Sequence, residues 1–331
     1  MTYRVALIGA GNMGSWHANQ WRKVPGVELV GVLDTRQDAA SKVGEAYGDW
    51  NSLLTGAKPD IIDICTPTPA HREYVELAAA AGKAIFVEKP LARTLEDCDA
   101  IVNAVDRAGV PAMPGHVVRY YPEYSKAKEI IDTGGIGKPA TVRTARMAAF
   151  PVINGRENWY ADAAKSGGVV LDMILHDFDW LRWCLGEVDR VYAKGLIDQG
   201  RGEFDFGLVT LHFKSGALGH VTGSWVHIGP FRTQFELCGD AGMIEHDSEK
   251  SAPFTVSYRQ TDVGESGVAI PESPLFPADD PYYKELRHFI DVIEGKAQPL
   301  VTVYDARAAV AIASAALESI ATSLPVTVAA S

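Results

Sequence analysis

Two polar side chains inside an apolar stretch of the sequence could carry acid–base chemistry. Residues 171–185 are apolar enough to form a buried helix, and Asp172 and His176 stand at positions i and i+4, so we predict that they share one helix face. A carboxylate one turn from an imidazole can fix its tautomer and raise its basicity, as a general base needs. A capping aspartate and a hydrogen-bonded core histidine would show the same spacing, so the pattern leaves both interpretations open.

A second charged segment, Glu88-Lys89-Pro90, follows the apolar residues 84–87. Charged side chains at the carboxyl end of a buried strand are typical of a ligand site, although a solvated pair at a sheet edge has the same appearance. Metal-site spacing is missing, because H-E-x-x-H is absent and the cysteines are scattered singly without C-x-x-C. We therefore predict no metal and no disulfide framework, and a reducing cytoplasm is the simplest setting.

The N-terminal residues predict a dinucleotide site. An apolar strand at 3–8 runs into Gly9-Ala10-Gly11-Asn12-Met13-Gly14, and a second apolar run at 27–33 ends on Asp34, about 20 positions after the last glycine. This is the G-x-G-x-x-G fingerprint in its strand–turn–helix context. Gly9 would allow the tight turn, Gly11 the approach of a pyrophosphate, and Gly14 close packing of helix on strand. The helix N-terminus at Asn12 and Met13 offers free N–H groups to the phosphates.

Further residues are predicted to contact this cofactor. Asp34 is placed to accept hydrogen bonds from a ribose 2′-OH, which favours NAD, whereas Arg36 could accommodate the 2′-phosphate of NADP. The segment Cys65-Thr66-Pro67-Thr68-Pro69-Ala70-His71 ends the third apolar strand, where ligands sit in such sheets, so Thr66, Pro67 and His71 are candidates. A proline-stiffened helix start explains the same segment, and both interpretations can hold together.

The elements that position these residues alternate between strand and helix up to about residue 115. The predicted strands are 3–8, 27–33, 60–65, 84–87 and 110–114, and the predicted helices are 12–24, 36–47, 69–81 and 94–108. Such alternation predicts an α/β fold with a doubly wound parallel sheet. We therefore assign residues 1–120 to an NAD(P)-binding Rossmann domain.

Residues 121–331 predict a different, α+β domain. A helix at 123–132 is followed mainly by strands, with further helices at 170–185, 282–294 and 304–322 and a polar loop at 247–280. The predicted strands are 138–148, 188–197, 204–213, 217–226, 232–239 and 242–246. Period-2 alternation in several of them indicates a mostly antiparallel sheet with one buried face.

The charge of the chain limits its partners. The 331 residues have a net charge of −11, and residues 121–331 hold 19 Lys and Arg against 28 Asp and Glu. This balance argues against nucleic acid, which needs a basic face. The sequence shows neither an apolar run that could span a bilayer nor a signal segment, so we predict no membrane association.

Taken together, these segments resemble the Gfo/Idh/MocA oxidoreductases, which include glucose–fructose oxidoreductase and inositol dehydrogenase. The resemblance covers nearly the whole chain. Besides the motifs above it includes Gly115-His116-Val117-Val118-Arg119-Tyr120, Gly167-Gly168, and Tyr283 with Glu285 and Phe289. Its most specific part is Glu88-Lys89-Pro90 combined with Asp172 and His176.

The resemblance implies a reaction and a substrate pocket. Lys89 would lie between nicotinamide and substrate, and His176 would be the acid/base, supported by Asp172. Arg119, Asn154, Trp159 and Tyr160 would help to line the substrate pocket, although the two aromatic residues could equally be core residues. The second domain would carry a large open sheet, one face of which commonly pairs subunits into a homodimer or homotetramer.

The expected reaction is reversible hydride transfer between NAD and a secondary alcohol of a sugar or cyclic polyol. Lys89 would stabilise the negative charge that develops on the substrate oxygen. One alternative is an NADPH-dependent reductase of ketosugars or other carbonyls. Another is a nucleotide-binding sensor without activity, which the presence of Lys89, Asp172 and His176 disfavours.

Overall fold

The computed structural model describes residues 2–151, 158–196, 205–250 and 280–330, and these form two β-sheets. The first sheet has six strands in the order β3-β2-β1-β4-β5-β6. Its elements are β1 (Tyr3–Ile8), α1 (Asn12–Trp21), β2 (Val27–Leu33), α2 (Gln37–Val43), β3 (Ala46–Tyr47), α3 (Trp50–Ala57), β4 (Ile61–Ile64), α4 (His71–Ala80), β5 (Ala84–Glu88), α5 (Leu95–Ala108) and β6 (Ala112–Gly115). All pairs in this sheet are parallel. The order reverses between β1 and β4, which places a ligand crevice at their carboxyl ends.

The predicted helix at 36–47 is shorter than expected, and a helix beyond it was not predicted. α2 ends at Val43, a two-residue strand follows, and α3 then runs from Trp50. Asp49 starts α3 with a capping box, since its carboxylate accepts from Ser52 N at 2.9 Å while the Ser52 hydroxyl accepts from Asp49 N. This capping pair was the sequence signal for the missed helix.

The second sheet has seven strands in the order β12-β11-β7-β10-β9-β8-β13. The elements after residue 120 are α6 (Pro122–Asp132), β7 (Pro139–Met147), α7 (Ala163–Ser166), α8 (Gly168–Asp172), α9 (Leu175–Leu185), β8 (Val188–Leu196), β9 (Phe206–Phe213), β10 (Leu218–Ser224), β11 (Arg232–Gly239), β12 (Met243–Asp247), α10 (Pro281–Ile293), α11 (Val303–Thr322) and β13 (Val326–Thr327). Only the pair of β7 and β10 is parallel among the described strands of this sheet. The predicted fold class is thereby confirmed.

The predicted continuous helix at 170–185 is wrong. α8 ends at Asp172 and α9 begins at Leu175. The N–H groups of Met173 and Ile174 both bond to the Val169 carbonyl, which widens the turn and ends the helical ladder. Asp172 and His176 therefore lie on different helices rather than on one shared face. An apolar run predicts burial along this segment but does not reveal a change of helix axis within it.

α10 returns from the second half of the chain to the first sheet. Leu286, Phe289 and Ile290 are buried against a cluster that includes Val5 and Phe86. α11 packs on β8 and α9 and also touches α5, so it bridges the two halves. No helix in the described part of the chain is long and apolar enough to cross a bilayer.

Candidate active site

The turn after β1 has the steric properties that a dinucleotide needs. Gly9 has φ +98°, and a Cβ there would lie 2.6 Å from the Cys65 carbonyl oxygen. A Cβ on Gly14 would lie 1.9 Å from the Gly9 oxygen, so the helix can approach the strand only without a side chain. A Cβ on Gly11 would meet nothing within 4 Å. The space over Gly11 is thus open to a ligand, as the fingerprint requires.

Asp34 stands at the carboxyl end of β2, beside this turn. Its Oδ2 accepts from Ala10 N at 2.7 Å and its Oδ1 from Arg36 N at 2.8 Å. The Arg36 Nε lies 3.4 Å from the same Oδ1, with a side chain that is 40% exposed. The carboxylate therefore has a fixed orientation at the rim of the crevice, and the Arg36 guanidinium is held against it.

A cavity of about 310 Å³ opens between the two halves of the molecule. Most of the predicted site residues line it: Gly9, Gly11, Asn12, Met13, Asp34, Thr66, Pro67, Glu88, Lys89, Trp159, Tyr160 and Asp172. Cys65, Thr68 and Lys165 line it as well, and sequence reasoning missed them as site residues. The sequence offers one indication that Lys165 belongs to the site, namely its position just before Gly167-Gly168. The size falls within the usual range for small-molecule sites.

Lys89 and Asp172 meet in the wall of this cavity. The Lys89 Nζ donates to the Asp172 carbonyl oxygen at 2.8 Å and to Asp172 Oδ1 at 3.1 Å. Both side chains are largely buried, with 18% and 12% of their surfaces exposed. The Asp172 carboxylate is thus engaged by the lysine, whereas the sequence had placed it against His176.

His176 is half-buried at the start of α9, and it is not among the residues that line the cavity. Its ring lies 6.4 Å from that of His116, and its Nδ1 is buried without a hydrogen-bond partner among the described residues. Burial lowers the pKa of His176 well below the ordinary imidazole value, and the charges of Lys89 and Arg146 lower it further. The imidazole is consequently neutral at neutral pH, and its basicity is lowered rather than raised as the sequence predicted, because Asp172 contacts Lys89 instead.

Glu88 and His71 hold the loops that follow β5 and β4. Glu88 is buried, and its Oε2 accepts from Lys89 N at 3.0 Å, which fixes the start of the lysine loop. The His71 Nδ1 lies 2.8 Å from the Pro90 carbonyl oxygen, and its Nε2 lies 2.9 Å from that of Thr66. His71 therefore links the loop at Thr66 to the loop at Pro90 and does not line the cavity itself.

Arg119 is not brought to the cavity. Its Nε and Nη2 contact the two Asp179 carboxylate oxygens at 2.8 and 2.6 Å, and its Nη1 donates to the Leu300 carbonyl oxygen. Only 2% of Arg119 is exposed. This ion pair fastens the segment after β6 to α9.

The two predicted aromatic residues do reach the cavity. The rings of Trp159 and Tyr160 stack with their centroids 4.2 Å apart, and Tyr160 also packs edge-on against Trp225. Both are half-buried. Asn154 lies outside the described residues.

A parallel sheet whose open glycine turn shares one cavity with a lysine–carboxylate pair defines the site of a dinucleotide-binding protein. Residues 3–116 match the family model of an oxidoreductase family with an NAD-binding Rossmann fold, and residues 124–245 match that of the GFO/IDH/MocA C-terminal domain. The chain belongs to the Gfo/Idh/MocA family of oxidoreductases. Its first sheet is the NAD-binding part, which confirms the predicted family and cofactor.

Named relatives cover almost the whole chain. It is 32% identical to myo-inositol 2-dehydrogenase of Thermotoga maritima over 330 residues, which is 96% of each chain. It is also 32% identical to scyllo-inositol 2-dehydrogenase (NAD(+)) of Bacillus subtilis, over 98% of this chain and 95% of the relative. The crystal structure of myo-inositol 2-dehydrogenase from Lactobacillus plantarum superposes with a TM-score of 0.84 at 27% identity, over 99% and 100% of the two chains.

Proposed function

We propose that the protein oxidises a secondary alcohol of a cyclic polyol or sugar, with an inositol as the first substrate to test. The observation that carries this proposal is the placement of Lys89. Its ammonium group stands in the wall of the one cavity that also contains the glycine turn and Asp34. A hydroxyl-bearing substrate beside the cofactor would therefore meet a fixed cation at this point.

His176 is proposed as the base that takes the hydroxyl proton. Burial lowers its pKa and keeps the imidazole neutral, so a ring nitrogen holds the lone pair that takes the proton. The proton is released to His176 as the alcohol becomes a carbonyl, and it returns to the same oxygen when the reaction runs backwards.

Lys89 is proposed to donate a hydrogen bond to the substrate oxygen. An ammonium group has three N–H donors, and Asp172 occupies two of them. One donor therefore remains for the oxygen on which negative charge develops. Asp172 thus acts on the lysine, by holding its Nζ in the cleft, and not on the imidazole.

The residues that fit NAD are those of the first sheet. The open space over Gly11 suits the pyrophosphate, and the fixed Asp34 carboxylate suits the adenosine ribose. Thr66, Pro67 and Glu88 line the same cavity as Lys89. Bound NAD supplies the acceptor for the hydride of the alcohol. The side chains of this protein supply orientation and charge.

Trp159 and Tyr160 support a ring-shaped substrate. Their stacked rings contribute an apolar patch to the wall of the cavity that Lys89 also lines. The C–H face of a cyclic polyol is apolar while its hydroxyls are polar, so such a molecule fits between the patch and Lys89.

The proposed assembly is a homodimer or homotetramer, and the proposed compartment is the cytoplasm. On the outer face of the second sheet, Tyr192, Leu208 and Leu218 are 40%, 44% and 47% exposed, which supports pairing of subunits there. The four unpaired cysteines support a reducing compartment.

The test is a panel of inositols, aldoses and sugar acids assayed for reduction of NAD and of NADP. We expect turnover of at least one neutral polyol with NAD, and its loss in His176→Asn. If only an anionic or non-sugar compound is oxidised, the polyol proposal fails. If reduction of carbonyl compounds with NADPH is the sole activity, the proposed direction and the cofactor fail together.

A further inference from the structure

Three buried side chains from distant parts of the chain converge behind the cavity wall. They are His17 of α1, Glu88 at the end of β5 and Glu285 of α10, with 0%, 6% and 0% of their surfaces exposed. A ring nitrogen of His17 and one carboxylate oxygen from each glutamate all lie within 4.8 Å of one another. The proposed reaction uses neither His17 nor Glu285.

Several atoms of this cluster have no hydrogen-bond partner among the residues that the structure describes. Both carboxylate oxygens of Glu285 and the Nε2 of His17 are fully buried and unsatisfied. The Nε2 lies 3.1 Å from Glu88 Oε1, but not in hydrogen-bonding geometry. An unsatisfied buried polar atom costs about 1–3 kcal/mol, and more when it is charged. Three such atoms belong to residues of one cluster, so one bound ion would satisfy them together.

The opposite nitrogen of His17 fixes the direction of the ring. Its Nδ1 lies 3.0 Å from Asp63 Oδ2, and the Trp21 Nε1 donates to the same oxygen at 2.7 Å. A carboxylate that accepts from Nδ1–H leaves the lone pair of Nε2 directed at the two glutamates. Metal-binding histidines are commonly held in this way.

The cluster also brings acidic side chains together. Glu88, Glu285 and Asp63 place three carboxyl groups in buried positions around His17, and the nearby ammonium group of Lys89 is directed at Asp172. A second possible ligand group, formed by His17, Asp63 and Cys65, is less suited, because Asp63 already accepts hydrogen bonds from His17 and Trp21.

We propose that His17, Glu88 and Glu285 bind a divalent first-row transition-metal ion, with Zn²⁺ as the ion to test. One imidazole nitrogen among the donors favours zinc over magnesium or calcium. Ligand atoms around a tetrahedral zinc lie about 3.3 Å apart, from bond lengths of about 2.0–2.1 Å. The His17 and Glu88 atoms already have this spacing, and the flexible Glu285 side chain lies within reach.

The ion would have a structural role. It joins α1 and β5 of the first sheet to α10, which comes from the far end of the chain. It also fixes the Glu88 side chain, whose Oε2 accepts a hydrogen bond from Lys89 N. The sequence could not reveal these ligands, since positions 17, 88 and 285 form no local pattern.

The test measures metal on the full chain without NAD or substrate, so its outcome is independent of the proposed reaction. Metal content is determined on the purified protein by plasma mass spectrometry. The chain is then stripped with a chelator and titrated with Zn²⁺ while thermal unfolding is followed. We expect one zinc per chain and a Tm that rises with zinc concentration.

Variants locate the ion. Glu285→Gln should weaken zinc binding by more than about 100-fold, and Asp63→Asn by about 10–100-fold, since Asp63 only orients the ligand. Glu294→Gln, just after the same helix, is the matched control and should bind like the unaltered chain. The proposal is overturned if stripped wild-type protein binds no stoichiometric zinc and its Tm does not respond. It is also overturned if Glu285→Gln binds zinc as tightly as wild type.

Discussion

Replacing Lys89 by methionine separates its two proposed effects on catalysis. The side chain keeps its length but loses the Nζ, which donates twice to Asp172 and has one donor left for substrate. Loss of a single donor to a developing oxyanion lowers kcat by about 10²–10³-fold, or about 2.7–4 kcal/mol. Lys89→Met should therefore lose turnover to this extent while binding NAD nearly as wild type does.

The same substitution should shift the pH profile. His176 must be neutral to accept a proton, so kcat/KM falls as pH drops through its pKa. In the wild type that pKa is held well below about 6.5 by burial and, next, by the charge of Lys89. Removing the ammonium group takes away one of these causes. The acid limb of the residual kcat/KM should then move to higher pH.

The assay is NAD reduction with the best polyol from the panel, between pH 5 and 9, with NAD binding measured by titration. Lys83→Met is the control, because Lys83 stands just before β5 and outside the cavity. Wild-type turnover in Lys89→Met, or an acid limb that moves to lower pH, would refute the assigned role. Loss of NAD binding would mean that the lysine acts mainly on the cofactor.

Other predictions concern stability and the cofactor. Arg119→Ala should lower the free energy of unfolding in urea by about 3–5 kcal/mol, because it leaves the buried Asp179 carboxylate unpaired. The control Arg143→Ala, at an exposed ion pair, should lower it by at most about 1 kcal/mol. A raised KM with unchanged stability in Arg119→Ala would instead favour a pocket role. Gly14→Ala should lower Tm, because its Cβ would clash with the Gly9 carbonyl oxygen. Gly11→Ala should leave Tm unchanged and weaken NAD binding in titrations, because its Cβ would enter open space. Equal effects of the two substitutions would contradict the steric argument. Asp34→Ser should raise the NADP/NAD ratio of kcat/KM about tenfold or more, and an unchanged ratio would show that this carboxylate does not select the cofactor.

The parts of the fold that could be predicted are those with a local signal. Continuous apolar runs predicted five of the six strands of the first sheet, and the short β3 fell inside a predicted helix. The glycine pattern placed the turn whose three steric roles the structure reproduces. The helix at Trp50–Ala57 was missed, because its main signal is a single capping pair and not an apolar stripe.

The site was predictable in its members but not in its contacts. Lys89 and Asp172 were both identified, yet their ion pair joins residues far apart in sequence, and α8 ends at Asp172 where one continuous helix was predicted. The family resemblance implied that Arg119 lines the pocket, and nothing in the sequence reveals that it pairs with Asp179 instead. Long-range pairing of charges is set by packing, which one sequence does not display.

The return of α10 to the first sheet has a consequence for how the chain folds as it is synthesised. The strands of that sheet are complete once Gly115 has been made, but the apolar face around Val5 and Phe86 is covered by residues near 289. A growing chain would therefore expose this face until most of the protein has left the ribosome. The first sheet is thus synthesised early and covered late, and an apolar face exposed in that interval favours aggregation.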